Sequence, residues 1–318
     1  MQTMEQPITR RGIALQRILI ATDFSTASHR ALDFAVAIAR HYGSTLFIMH
    51  AVPPDPHDRI PVDHFPRELD RPGLEAENQL AQLEVDEPRL DEVNHKLLLR
   101  RGNVWEALDQ DIEHENIDLL ILGTRGRTGL KKLALGSVAE EVLRQARCPV
   151  LTVGPKVAPA ASDVVDFKRI LFPTDFAPVC DVALSYALSL AEDYRSKLLL
   201  LYMISPLPGS DLGPAAYGPS SYAADEFTGL QRAMRENGLK KLKELIPLNA
   251  RLAVEPEFLT GTDFLPEGIL ETAAQKEAQL IVMGGNRTSV PRVAAHIPWA
   301  LIHEIICHAT CPVLTVCR

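Results

Sequence analysis

Short apolar runs alternate along the chain with segments whose apolar positions recur at helical spacing. RILIAT, beginning at Arg17, has the length and continuity of a strand buried on both faces. One apolar stripe follows it at helical spacing, formed by Ala31, Phe34, Ala35, Ile38 and Tyr42. Four more runs predict strands: TLFIMHAV, HKLLLR, DLLILG and CPVLTV. Helices are predicted near residues 74–94, 104–114 and 137–146. This alternation predicts a parallel sheet covered by helices on both faces.

The second half of the chain repeats the first. The stretch from Gln16 aligns without a gap on the stretch from Lys168, and CPVLTV occurs at Cys148 and again at Cys311. Identical residues meet at Arg17, Thr22, Asp23, Phe24, Ala31, Leu32, Tyr42 and Leu46. The strand order recurs as RILFPT, KLLLLYMI, LAVEPEFL, QLIVMG and CPVLTV. We therefore predict two tandem doubly wound α/β domains, at 15–155 and 166–318, joined by a linker at 156–165.

Composition narrows the possible partners and the compartment. The 318 residues suit two domains, and 46% hydrophobic with 23% charged residues is typical of a globular protein. A net charge of −8 argues against nucleic acid as the main partner, because binding to a phosphate backbone needs a basic face. No run is long enough for a membrane helix. The five cysteines are odd in number and do not resemble a secreted disulfide framework, so a cytoplasmic location is expected.

The stretch GTRGRTGLKKLALGSV, residues 123–138, joins a predicted buried strand to a predicted helix, and we call it the glycine loop. Three of its four glycines, Gly123, Gly126 and Gly136, allow close backbone approach to a ligand, and Ser137 opens the helix. Unpaired amides and the helix dipole favour an anion there. Four side chains add positive charge: Arg125, Arg127, Lys131 and Lys132. A polyphosphate is the natural ligand.

Asp23 follows the first predicted strand, at the sheet edge where open parallel sheets bind ligands. Its carboxylate would repel phosphates, so we expect it to accept hydrogen bonds from ribose hydroxyls or a base. A nucleotide spanning Asp23 and the glycine loop satisfies both features. The stretch is neither a P-loop nor a G-x-G-x-x-G motif.

Structural interpretations of the same residues stay open. SVAE, residues 137–140, is also a capping box in which Ser137 caps a helix and Glu140 reaches back. Asp23 would serve equally as a turn or cap residue before the first helix. Glycine-rich connections from strand to helix are common, so spacing alone does not separate a phosphate cradle from a surface loop.

The pattern Gly123-x2-Gly126-x9-Gly136-Ser137, followed by VAEEVLRQARCPVLTV, resembles the ATP-binding signature of the universal stress protein family. RILIATDFS and its repeat RILFPTDFA resemble the first strand and turn of that family, so the chain resembles a tandem universal stress protein. The resemblance implies five-stranded parallel sheets of order 3-2-1-4-5. The family contains members that bind ATP and members that do not.

The resemblance also implies roles for individual residues. Thr22 and Asp23 would lie at the base and ribose, and Ala51 against the adenine. The phosphates would lie at Gly123, Gly126, Gly136, Ser137 and Val138. Magnesium, if it accompanies ATP, would be held by phosphate oxygens and waters, because the glycine loop has no carboxylate.

The second half departs from this pattern. Asp175 and Gly284 persist, but Arg287 replaces the second glycine. Alignment on CPVLTV sets Trp299 at the third glycine and Ala300 at the serine. An indole would fill phosphate space, and two prolines, Pro291 and Pro298, remove backbone donors. We expect the second half not to bind ATP in the usual way.

The family resemblance further implies that the two final strands pair across a pseudo-twofold axis, because PVLTV occurs twice and an apolar edge strand needs a partner. Such pairing within one chain would replace the dimer of single-domain relatives. A further homodimer of the whole chain is compatible with the sequence.

Other candidate residues favour packing over chemistry. His303, Cys307 and Cys311 are spaced four apart, but a fourth zinc ligand is not evident, so no metal site is predicted. Cys180, near the start of a helix, has either a lowered pKa or a simple packing role. Trp105 is interpreted as packing.

Three functions fit these observations. The favoured hypothesis is a regulatory protein of the stress response whose bound ATP, or a related adenine nucleotide, biases assembly or partner binding. The second is a slow ATPase or self-phosphorylating protein using the same pocket. No Ser-His-Asp or paired-carboxylate arrangement can be assembled, so efficient catalysis is not expected. The third is a nucleotide-free interaction scaffold, against which the intact glycines of the first half count.

Overall fold

The computed structural model describes residues 13–53, 71–124, 135–159, 165–204, 221–262, 265–285 and 299–317, with side chains of helix residues 221–228 and 299 excepted. The first half contains β1 (Arg17–Ala21), α1 (Thr26–Tyr42), β2 (Thr45–Val52), α2 (Arg71–Asp86), a 3-10 helix (Pro88–Glu92), β3 (His95–Arg101), α3 (Val104–His114), β4 (Leu119–Gly123), α4 (Ser137–Gln145) and β5 (Val150–Val153). The second half contains β6 (Arg169–Pro173), α5 (Pro178–Asp193), β7 (Lys197–Met203), α6 (Ser221–Glu244), β8 (Glu257–Gly261), α7 (Glu267–Gln275), β9 (Leu280–Gly285), α8 (Trp299–His308) and β10 (Val313–Cys317).

The ten described strands form one sheet in the order β3-β2-β1-β4-β5-β10-β9-β6-β7-β8. Within each half all neighbours are parallel, in the order 3-2-1-4-5, which confirms the predicted α/β class. Where the halves meet, β5 and β10 pair antiparallel. The predicted pairing of the two final strands is therefore present.

The junction between the halves is symmetric about one residue pair. Leu151 faces Leu314, while Val150 faces Thr315 and Thr152 faces Val313. Because these residues occupy equivalent places in the two copies of CPVLTV, the pseudo-twofold axis passes between Leu151 and Leu314. The Thr152 hydroxyl adds a hydrogen bond of 3.1 Å to the carbonyl oxygen of Val313.

Helices cover both faces of the sheet and form two apolar layers that cross the junction. α1, α2, α5 and α6 contribute to one layer, which contains Leu151 and Leu314. α3, α4, α7 and α8 contribute to the other, which contains Val150 and Val313. Alternate strand residues enter opposite layers, as in β1, where Ile18 and Ile20 lie in one layer and Leu19 in the other.

The ends of α1 and α5 also contact each other. The Tyr42 hydroxyl donates a 2.8 Å hydrogen bond to Oδ2 of Asp193, and the His41 ring stacks on Tyr194 with centroids 4.1 Å apart. His41 and Asp193 are equivalent positions in the repeat, as are Tyr42 and Tyr194. The contact is thus reciprocal, as expected for an interface built on a twofold axis.

Two predicted boundaries were wrong, and a proline explains each. The helix predicted over 74–94 ends at Asp86, and Pro88 starts a separate 3-10 helix, because proline has no N–H to continue the α-helical ladder. LAVEPEFL forms a strand only from Glu257, immediately after Pro256.

We expect Leu314→Ala to lower the free energy of unfolding by roughly 2–5 kcal/mol, because Leu314 is 4% exposed at the junction and its removal leaves a cavity. Urea denaturation would measure the change. Leu248→Ala is the matched control: Leu248 is fully exposed, so its truncation should change stability by less than about 0.5 kcal/mol. Equal effects of the two variants would contradict the structure of the junction.

Candidate functional site

The carboxyl ends of β1, β2 and β4 meet at one edge of the first half. Ala21, the last residue of β1, pairs with Met49 of β2 on one side and Leu122 of β4 on the other. The Thr22 amide then donates a 2.8 Å hydrogen bond to the Met49 carbonyl. The chain leaves β1 toward β2 and enters β4 by a crossover from β3, so the strand order reverses here. Such switch points are where open α/β sheets bind ligands.

Thr22, Asp23 and Phe24 form a tight turn after β1. The buried Thr22 accepts a 3.1 Å hydrogen bond at Oγ1 from the Phe24 amide, and Asp23 accepts one of 3.0 Å at Oδ1 from the Ser25 amide. Phe24 has φ 59°, a left-handed conformation that is unusual for a residue other than glycine. Ser25, not Asp23, is the N-cap of α1. Asp23 therefore has the turn role that the sequence left open.

The second half builds the same turn. Thr174 accepts a 3.0 Å hydrogen bond from the Phe176 amide, Asp175 accepts one of 2.9 Å from the Ala177 amide, and Phe176 has φ 63°. The requirements of this turn explain why Thr-Asp-Phe occurs in both halves. The persistence of Asp175 is consequently no evidence for or against a ligand.

Gly123 and Gly284 also have a packing role in common. A Cβ at Gly123 would lie 2.7 Å from the carbonyl carbon and oxygen of Ala27, at the start of α1. A Cβ at Gly284 would lie 3.1 Å from the carbonyl oxygen of Val179 in α5. The first glycine of the motif is thus needed for close approach of a helix in both halves, independently of a phosphate.

Three hydroxyls surround the turn in the first half only. The Thr22 hydroxyl donates to Oγ of Ser28 at 3.2 Å, and the Ser28 hydroxyl donates to the carbonyl oxygen of Ser25 at 2.9 Å. Ala177 and Cys180 occupy the places of the two serines in the second half.

Burial raises the pKa of the Cys180 thiol to about 11, so the hypothesis of a lowered pKa was wrong.

The glycine loop is described only at its two ends. Arg125, Gly126, Arg127, Lys131 and Lys132 lie outside the described residues. At the ends, the Gly136 amide donates a 2.9 Å hydrogen bond to the carbonyl oxygen of Thr124, so the end of β4 and the start of α4 lie close together.

Gly136 is the N-cap of α4, and Ser137 is the first helical residue, with its side chain exposed. The capping-box interpretation of Ser137 was therefore wrong. Glu140 does not reach back: its Oε1 accepts a 2.8 Å hydrogen bond from Arg144 instead.

The first turn of α4 offers donors to an anion. The first amide bonded within the helix is that of Glu140, which donates to Gly136 at 2.9 Å. Among the described residues, none accepts a hydrogen bond from the amides of Ser137, Val138 or Ala139. Together with the exposed Ser137 hydroxyl, these groups fit a phosphate, with each charge stabilised by ~0.3–1 kcal/mol when exposed.

Ala51 lies near the end of β2, 8% exposed, in the apolar layer formed with α3 and α4. Its counterpart in the second half is the longer Met203, whose Sδ and Cε would lie 2.7 Å from a Cβ at Gly261. Met203 therefore has side-chain atoms beyond Cβ that Ala51 lacks, and these atoms lie against Gly261. Arg287, Pro291, Pro298 and the side chain of Trp299 lie outside the described residues, and Ala300 is exposed.

His50 takes part in the turn and was missed in the sequence. Its Nδ1 lies 2.7 Å from the carbonyl oxygen of Thr22, and its ring centroid lies 4.5 Å from that of Phe24. Tyr202 pairs in the same way with Phe176, at 4.7 Å. The sequence signal that could have shown this role is that both repeats have a ring side chain at this position, His50 in the first and Tyr202 in the second.

The remaining candidates have structural surroundings. Cys307 and Cys311 are buried, and burial raises the pKa of Cys311 to about 12. Within the described ranges, no three His, Cys, Asp or Glu side chains come together as a metal site would require. In the same ranges, no helix has the length and apolar character needed to cross a membrane.

Comparison with known proteins gives a family match in both halves. The model of the universal stress protein family matches residues 14–154 and 166–316. A universal stress protein of Methanocaldococcus jannaschii is 32% identical over 150 residues, covering 46% of this chain and 86% of the relative. One from Thermus aquaticus is 36% identical over 138 residues, covering 43% and 96%. Each of these relatives thus aligns with less than half of this chain.

A solved universal stress protein from Archaeoglobus fulgidus has the same fold over nearly the whole length. It covers 95% of this chain and 98% of its own, with a TM-score of 0.61 and 18% identity. Both halves and their arrangement thus have a structural counterpart.

Gly123→Ala should destabilise the protein by about 1–3 kcal/mol, because the added methyl meets only backbone atoms of α1. Gly229→Ala, in α6 with open space around it, should instead be neutral or stabilise by up to about 1 kcal/mol. Thermal unfolding of both variants measures the contrast. If Gly123→Ala matched the wild type, the close approach of β4 and α1 would be refuted.

The raised thiol pKa values predict slow alkylation. A pKa of about 11 rather than the ordinary 9.0 lowers the thiolate fraction of Cys180 near pH 8 by roughly 100-fold, and that of Cys311 falls further. Iodoacetamide labelling followed by peptide mass spectrometry should modify the half-buried Cys317 first. Rapid labelling of native Cys180, at the rate seen after unfolding in urea, would contradict its burial.

Proposed function

The chain belongs to the universal stress protein family, and we propose on that premise that its first domain, residues 15–155, binds ATP or a related adenine nucleotide. The base and ribose contact Thr22, Asp23 and Ala51 in this proposal. The phosphates contact the glycine loop, with Gly123, Arg125, Gly126 and Arg127 on one side and Gly136, Ser137 and Val138 at the start of α4. Magnesium accompanies the phosphates without a protein carboxylate from the loop.

One observation carries this proposal: the first-turn amides of α4, for which the described part of the chain supplies no acceptor, and the turn at Asp23 share the switch-point edge of the sheet. The described residues supply no acceptor for the amides of Ser137, Val138 and Ala139. At the turn, polar side chains already ordered by hydrogen bonds reduce the entropy lost on binding. The start of α4 thus favours the anionic phosphates, and the turn at Asp23 favours the hydrogen-bonding nucleoside of the same molecule.

We propose that the second domain, residues 166–318, takes up no ATP in this manner. Met203 replaces Ala51, and Ala177 and Cys180 replace Ser25 and Ser28. These changes remove hydroxyls and fill space while the turn and the close helix packing are kept. One nucleotide per chain is the expected stoichiometry.

We further propose that nucleotide occupancy biases the pairing of the two domains or the binding of a partner through α1. This helix starts at the Asp23 turn and ends at the contact of His41 and Tyr42 with α5. Along its length, Nη1 of Arg30 donates 3.2 Å hydrogen bonds to the carbonyl oxygens of Pro155 and Val157, where the first domain joins the linker. A ligand that shifts the start of α1 therefore acts on every one of these contacts.

We also propose that the protein is cytoplasmic and that whole chains form a homodimer.

Protein purified without added nucleotide, then denatured and analysed by chromatography, should release about one adenine nucleotide per chain.

Asp23→Ala should lower the ATP affinity by about 10-fold or more in calorimetry, since it removes a charged acceptor worth roughly 1.5–3 kcal/mol. Asp175→Ala breaks the equivalent turn bond in the second domain, so it controls for damage to the fold and should leave ATP binding unchanged.

A second pair of variants tests the phosphate end. Ser137→Glu places a negative charge where the phosphates are proposed and should abolish binding, whereas Ala300→Glu adds the same charge at the corresponding exposed position of α8. No released nucleotide, together with no calorimetric signal at millimolar ATP, would refute the proposed function. Phosphate release that falls with Asp23→Ala would instead indicate slow turnover in the same pocket.

A further inference from the structure

We propose that Trp105 forms one wall of the base subsite, where its indole ring stacks on the purine and favours ligands with a flat aromatic base. The inference rests on the proposed nucleotide site and extends it to a residue that the family signature does not contain. It assigns to Trp105 a part in specificity in place of the packing role expected from the sequence.

The position of Trp105 is fixed to the same edge as Ala51. The Gly102 amide donates a 3.0 Å hydrogen bond to the carbonyl oxygen of Val52, which ties the start of α3 to the end of β2. Asn103 caps α3, and its Oδ1 accepts hydrogen bonds from the amides of Trp105 at 2.8 Å and Glu106 at 3.1 Å. Trp105 therefore belongs to an ordered first turn beside the strand end that carries Ala51.

The surroundings of the ring leave part of it available. Trp105 is half-buried and packs against the apolar layer that contains Ala51 and Ala139. The helix itself is anchored deeper by Ala107 and Leu108, which are 6% and 0% exposed. α3 is thus anchored by residues other than Trp105, whose side chain is only half-buried.

The second domain provides an internal comparison. Asn116 and Glu277 are equivalent residues after α3 and α7, with φ 49° and 50°, and alignment on them sets Trp105 opposite Pro266. Pro266 is the N-cap of α7 and supplies neither an aromatic ring for stacking nor a capping side chain. The domain that lacks the small Ala51 therefore also lacks the aromatic wall. Loss of both together is expected if they serve one ligand.

Fluorescence separates the base from the phosphates. The chain has two tryptophans, so a Trp299→Phe background leaves Trp105 as the only indole. ATP should quench its emission, whereas inorganic triphosphate, which has no base, should bind without quenching. In the full chain, Trp105→Ala should weaken ATP binding by about 5- to 150-fold, the range expected for loss of one base–aromatic stack. The same variant should leave triphosphate binding within about twofold, and Trp105→Phe should retain most of the ATP affinity.

The outcomes distinguish this inference from the proposed function. Unchanged ATP affinity in Trp105→Ala, or equal losses for ATP and triphosphate, would overturn the role of Trp105 and leave nucleotide binding intact. Absence of ATP binding by the wild type would overturn both. If Trp105→Ala fails to fold, the quenching comparison in the Trp299→Phe background decides, and equal responses to ATP and triphosphate would refute base stacking.

Discussion

The antiparallel pairing of β5 with β10 is the constraint on which the rest of the structure depends. Each half alone would present an apolar edge strand to water, and three residue pairs centred on Leu151 and Leu314 close both edges at once. The result is a single ten-stranded sheet whose two apolar layers cross the junction. The helices that cover the sheet are then held in pseudo-twofold positions, which brings the ends of α1 and α5 into reciprocal contact.

The two halves of the duplicated chain share one set of packing contacts and differ at other positions. The turn with a left-handed Phe24 or Phe176 was retained, and so were the glycines that admit α1 and α5 against the sheet. Four positions near the carboxyl ends of the strands differ: Ser25, Ser28, Ala51 and Trp105 in the first half correspond to Ala177, Cys180, Met203 and Pro266 in the second. A difference between the copies at these positions is better evidence for a ligand than identity at positions that the turn and the helix packing already explain.

The comparison of the two halves changes how strongly each motif residue indicates a ligand. Gly123 and Asp23 are both assigned to the proposed nucleotide site, yet both have sufficient structural reasons to be present. For Ser137 the structure has the opposite effect: Gly136 is the N-cap, so the Ser137 hydroxyl is exposed beside amides that no residue in the described ranges accepts a hydrogen bond from. The first half therefore has the same scaffold as the second half, together with a few side chains and amides that the scaffold does not require.

The sequence by itself determined the α/β class, the duplication and most strand and helix positions, because burial on one or two faces imposes a periodicity that is readable along the chain. It also located Thr22, Asp23, Ala51 and the glycine loop near one sheet edge, since parallel strands all end on the same side. Only the tertiary structure decided which residue caps each helix, why Gly123 and Gly284 persist, and that burial raises the pKa of Cys180. Those properties depend on distances between segments remote in the chain, and local patterns do not contain them.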